Sequence, residues 1–192
     1  MKILKILLVL CTSVLSCVTT ASSAGASDAL SMQKKIENIQ TNGQLVHPDP
    51  TPTRILEQEV NAYLASGEVV LPQGVKSVTL DGQGGVITGT AIVDFDKVSQ
   101  GSGNSNPLLS IFSGVHTVVV VTHAHGANRK GFVHVDSVSL DGVEVPRFLL
   151  QLFVEKYLQP KYPELGLDSQ FTLSDRIDSA VVGPHTLTVV QK

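Results

Sequence analysis

Pro146-Arg147-Phe148-Leu149-Leu150-Gln151-Leu152-Phe153-Val154-Glu155-Lys156-Tyr157-Leu158 is the stretch on which the reading of this chain turns. Its apolar residues cover most of a helical circumference and leave a thin polar edge of Arg147, Gln151, Glu155 and Lys156. A helix that apolar must be surrounded, by protein or by lipid. It either plugs a core or walls a groove. Pro160 and Pro163 stop it.

Outward from this helix the period of the pattern is two. On its N-terminal side, Thr117 to His125 and Gly131 to Leu140 alternate as strands and read as a hairpin across Gly126 to Lys130, with Asp141-Gly142 ending the second strand. Earlier, Val75 to Leu80 and Val86 to Phe95 form a first hairpin across Asp81-Gly82-Gln83-Gly84-Gly85. Gln100 to Pro107 reads as a polar loop, with a helical turn from Pro107 to Phe112. On its C-terminal side come Gln170 to Leu173, Ile177 to Val182 and Thr186 to Val190, three more short strands. Strands and helices do not alternate regularly, so the expected class is α+β: a curved antiparallel sheet packed around a long apolar helix. Ser77 to Gly82 echoes Ser137 to Gly142, and reads as two uses of a strand-then-turn signal rather than a duplication.

Upstream, Leu56, Val60, Tyr63 and Leu64 mark one face of a helix capped by Thr51 or Thr53 and ended by Gly67. His47-Pro48-Asp49-Pro50-Thr51-Pro52 has too many prolines for regular structure. In Ser27 to Asn42 the residues Leu30, Ile36 and Ile39 are sparse. Residues 27–52 are therefore expected to be a flexible or weakly helical linker, and residues 53–192 a single domain.

Residues 1–26 have the three parts of a signal peptide: Lys2 and Lys5, an apolar run from Ile3 to Leu15, and small residues around Ala24 and Ala26. Export to a periplasm or envelope is the expectation. Val14-Leu15-Ser16-Cys17 is also an imperfect lipobox, so lipidation at Cys17 is the alternative to simple cleavage. A lipidated chain would sit peripherally on a membrane. Cys11 and Cys17 are the two cysteines, and the exported part would hold neither a disulfide nor a thiol.

Composition removes other classes. Without Lys2 and Lys5 the chain keeps a formal charge of −5, with 17 acidic residues and no basic stripe, so nucleic acid is not an expected partner. Tryptophan is absent, which argues against a stacking platform. Gly-x-Ser-x-Gly and His-Glu-x-x-His do not occur, no catalytic residues are expected, and no cofactor is called for. Glu57 with Glu59, and Asp94 with Asp96, are carboxylate pairs that read as a solvated helix surface or strand end. His123 and His125 share one strand face, and a short loop would set His123 across from His134 and His125 across from Phe132. With Asp136 nearby, these imidazoles are a candidate zinc or copper site, though solvated histidines near a loop explain them as simply.

Two stretches carry a resemblance. Ile55 to Leu64 followed by Leu71-Pro72-Gln73-Gly74-Val75 resembles the opening of exported bacterial lipid-binding families. Val138-Ser139-Leu140-Asp141-Gly142-Val143-Glu144-Val145-Pro146 and the leucine-rich helix after it resemble the LmeA-like phospholipid-binding envelope proteins, which are similar to tubular lipid-binding proteins. The likeness spans roughly Ile55 to Lys192. It implies lipid held between a curled sheet and a helix, with Phe148, Leu149, Leu152 and Phe153 turned toward the ligand. The short Pro146 helix departs from that pattern and points to a shallow groove. The function expected is non-catalytic binding of a lipid or other apolar ligand, with a structural or protein-interaction module of the periplasm as the alternative.

Overall fold

A computed structural model describes residues 23–100, 113–159, 163 and 166–192. Most of the signal segment, Cys17 and the helical turn expected at 107–112 lie outside the described residues. The fold is α+β. Its strands are β1 (Thr53–Leu56), β2 (Val75–Gln83), β3 (Val86–Asp94), β4 (Val115–Ala127), β5 (Lys130–Leu140), β6 (Val143–Glu144), β7 (Asp168–Thr172), β8 (Ile177–Gly183) and β9 (Thr186–Gln191). They join one nine-stranded sheet in the order β1-β9-β8-β4-β3-β2, while β5 pairs along β4 and carries β6 and β7 beyond it. Every pairing is antiparallel.

Tight turns set this topology. Gly84-Gly85, Asn128-Arg129, Asp141-Gly142 and Asp175-Arg176 each place two successive residues at positive φ. At the first three, turns of that hand match the twist of the paired strands they join, so the hairpins coil rather than splay, whereas Asp175-Arg176 leads from β7 on β5 to β8 on β9. The echoed hexapeptides part company here. Asp81-Gly82 continues β2 to Gln83, whereas Asp141-Gly142 is itself a turn.

The core lies at one end of the sheet and depends on α1 (Ser23–Gly43). This corrects the expectation of a flexible or weakly helical linker over 27–43, while residues 44–52 form neither helix nor strand. Met32, Ile36 and Ile39 recur at i, i+4 and i+7 and are all buried, whereas Leu30 faces solvent. They pack with Ile55, Leu173, Ile177 and Val189 from the sheet region, and with Tyr63, Leu64 and Val69. The C-terminal end of α1 is pinned by the buried Gln191. Its amide donates to the Ile39 carbonyl at 2.8 Å and to the Asp175 carbonyl at 2.5 Å, and accepts from Asn42 at 2.8 Å. Gly43 permits this approach, because a Cβ there would run into the Asp175 backbone.

A second correction concerns Thr53 to Leu56, which forms β1 against β9 instead of a helix cap. Pro50 and Pro52 hold the chain extended just before it, and Ile55 enters the core. The following helix, α2 (Glu57–Ala65), is started by the Glu59 carboxylate, which accepts the Leu56 amide at 2.7 Å. Glu59 is not solvated surface. It is buried and bound by Lys35 at 2.6 and 2.7 Å and by Ser31 at 2.5 Å, which ties α1 to α2. Asp94 likewise ends β3, and its carboxylate accepts the Lys97 amide at 3.3 Å at the start of α3 (Phe95–Gln100).

Asn61 closes part of the outer edge of β2. Its side-chain amide accepts from the Leu80 N–H and donates to the Leu80 carbonyl, both at 2.8 Å, as a neighbouring strand would. One turn earlier, Glu57 accepts the Gly82 N–H at 2.9 Å. Asn61→Ala is expected to cost about 1–2 kcal/mol in urea unfolding, because it orphans a part-buried donor and acceptor together. A loss no larger than that of an exposed surface substitution would show that the edge does not depend on Asn61.

Candidate functional site

The apolar helix is shorter than its sequence pattern. It comprises α4 (Arg147–Phe153), continued by a π-helical turn over Val154–Leu158. Pro146 precedes it, where a missing N–H and a fixed φ cost nothing. Of its seven α-helical residues five are apolar, and none is buried. Phe148 is 66% exposed and Leu152, one turn later on the same face, is 45% exposed. Leu149 and Phe153 are half-buried, and Val154 is buried. Among the described residues the expected packing of the sheet around this helix is not seen. The helices that serve the core are α1, through Met32, Ile36 and Ile39, and α2, through Tyr63 and Leu64.

What anchors α4 is polar. Val145 N–H donates to the Val138 carbonyl at 2.8 Å, which fixes the approach from β6. Arg147 then reaches back to the Val135 carbonyl at 3.3 Å and to Asp168 at 3.2 Å. The helix is held at its first residue and presents Phe148 and Leu152 outward.

Beside it, on β4, β5 and β7, lies the histidine face. The register is the expected one: His123 pairs with His134, and His125 with Phe132. The slip in register between Val121 and Thr122 leaves Asp136 as an extra residue in β5. That bulge brings the Asp136 carboxylate to His123 Nδ1 at 2.7 Å, with its other oxygen 3.8 Å from His134 Nε2. His134 Nδ1 meets Asp168, directly opposite on β7, in a short hydrogen bond. His125 stacks on Phe132 at 4.9 Å between ring centroids. Asp168 is held below the ordinary carboxylate range by the His134 hydrogen bond, against a smaller desolvation effect, with Arg147 adding to it.

These side chains line an open cleft of about 340 Å³ that includes His123, His125, His134, Asp168 and Gln170. The structure therefore gathers His123, His125 and His134 on one surface as their spacing implied. Asp136 lies between His123 and His134, Asp168 holds the other side of His134, and His125 packs on an aromatic ring. Ser169 also borders the cleft, but its hydroxyl is engaged by the Gly166 backbone at 2.9 and 3.1 Å. Chemically this is a row of alternating imidazole and carboxylate groups ending on Arg147.

A similar pair closes the far end of the same hairpin. Asp141 contacts His116 Nδ1 at 2.5 Å and accepts the Thr117 N–H at 2.8 Å. Its hydrogen bond, helped by the Ser113 carbonyl, raises the His116 pKa above the ordinary histidine value. No family model matches the chain, and neither the curated proteins nor the solved structures contain a match to it.

Proposed function

We propose that this is an exported, non-catalytic envelope protein that binds a lipid or similar apolar ligand against the Pro146 helix. The observation that carries the reading is that α4 is mostly apolar and has no buried residue. Water is a poor environment for such a helix, and the protein's own sheet leaves it uncovered. For a chain that opens with a signal-peptide pattern, the abundant apolar phase outside the cytoplasm is acyl chain. The likeness of Val138 to Pro146 and the helix after it to LmeA-like phospholipid-binding proteins supports the same choice. Phe148, Leu149, Leu152 and Phe153 are the contact residues, and the site is a surface groove or peg rather than a tunnel. No helix of the described residues is long and apolar enough to cross a membrane.

Vesicles of phosphatidylethanolamine and phosphatidylglycerol test this. The protein should float with them, and Phe148→Ser/Leu152→Ser should bind about tenfold or more weakly. Because both side chains are exposed, the double variant should keep its melting temperature within the range of ordinary surface changes. Equal binding by a well-folded double variant would remove the helix from the proposal. No vesicle binding by the unaltered protein would overturn the lipid reading and favour a protein partner for the same stripe.

A further inference from the structure

Three residues distant in sequence meet away from the helix and the histidine cleft. Glu57 opens α2, Asp81 lies near the end of β2, and His185 sits in the turn between β8 and β9. His185 Nδ1 is 2.9 Å from Glu57 Oε2 and 3.7 Å from Asp81 Oδ2. One ligand atom from each lies within 4.8 Å of the other two, and among the described residues this trio alone meets that condition. Ligands about 2.0–2.2 Å from a tetrahedral zinc lie about 3.4 Å apart. The two separations from His185 straddle that spacing, so small side-chain shifts would admit an ion.

The surroundings have the form of an outer shell. Gly82 N–H donates to Glu57 Oε2 at 2.9 Å, and the Gln83 side-chain amide is 3.0 Å from His185 Nε2. Backbone bonds fix the frame independently: His185 N–H donates to the Gly82 carbonyl at 2.7 Å, and Glu57 N–H to the His185 carbonyl at 3.0 Å. The atom of Gln83 nearest the ring is its amide nitrogen. A metal on His185 Nδ1 puts the ring proton on Nε2, so the Gln83 amide turns over to offer its oxygen, the acceptor a metal-bound imidazole requires.

We propose that Glu57, Asp81 and His185 bind a divalent transition-metal cation of the zinc class, which would staple α2 to the two hairpins that meet there. The cation takes the place of any proton shared between His185 and Glu57, and that proton leaves to solvent. Three protein ligands leave the remaining position to water. The histidine cleft differs, because among the described residues no three of its histidine and carboxylate ligand atoms lie within 4.8 Å of one another.

The test is a zinc titration of the protein, produced without a histidine tag and followed by calorimetry and melting temperature. One zinc per chain is expected, with the melting temperature raised by about 5 °C at zinc about a hundredfold above its Kd. His185→Asn keeps a residue tolerant of the left-handed backbone at φ 50°. It and Asp81→Ala should each abolish both signals, and His123→Ala should preserve them. No zinc uptake by the folded protein would overturn the proposal. So would uptake that survives His185→Asn and Asp81→Ala but is lost in His123→Ala.

Discussion

Replacing Ile36 and Ile39 together by alanine is expected to remove about 5 kcal/mol of stability, most of what a domain of this size has. Both side chains are buried in the core cluster, beside Met32 of the same helix. Each truncation loses the transfer energy of the missing carbons and leaves a hole between α1 and the sheet. Leu30→Ala on the opposite, exposed side should change stability by less than about 0.5 kcal/mol. Urea unfolding followed by circular dichroism separates the two. If the double variant unfolds at the same midpoint as the parent, α1 is a passenger and not part of the domain.

Glu59→Ala should be nearly as damaging, at about 2–3 kcal/mol. The carboxylate is buried and accepts from Lys35, Ser31 and the Leu56 amide, and its burial keeps solvent from replacing them. Burial by itself would favour its protonated form. The ammonium of Lys35, the Ser31 hydroxyl and the Leu56 amide outweigh that, so the pKa is lowered from its usual 4.5. The sign of the pH effect follows. A depressed carboxyl pKa contributes stability in full above the unfolded value, and the contribution disappears as pH falls from there through the folded value. The parent should therefore lose stability below about pH 4.5 more steeply than Glu59→Gln, which has no charge to lose. Parallel acid-unfolding curves would show that the Lys35–Glu59 contact is not what joins the helices.

Local patterns suffice where neighbours in space are neighbours in sequence. The β4–β5 register follows from alternation and a short turn, so His123 opposite His134 is legible from the order of residues alone. The class, α+β with an antiparallel sheet, is legible for the same reason. What escapes is non-local. β1 pairs only with β9, more than 130 residues later, and the Thr51 and Thr53 that look like helix caps precede an extended segment. Ser27 to Asn42 reads as too thin in apolar residues when Leu30 is taken for part of its stripe in place of Met32. Their spacing puts Met32, and not Leu30, in line with Ile36 and Ile39. Lys35 with Glu59, and Glu57 with Asp81 and His185, are pairings that nothing in the order of residues foretells. The Pro146 helix is the instructive case. Its composition states that it needs apolar surroundings, but composition does not say whose. In the structure those surroundings do not come from its own sheet.

Native mass spectrometry of the protein, purified from an envelope fraction without detergent, shows what fills that gap. A stoichiometric adduct that organic extraction resolves into phospholipid or fatty acid is expected, and its loss in Phe148→Ser/Leu152→Ser. A bare chain mass at full occupancy would contradict it.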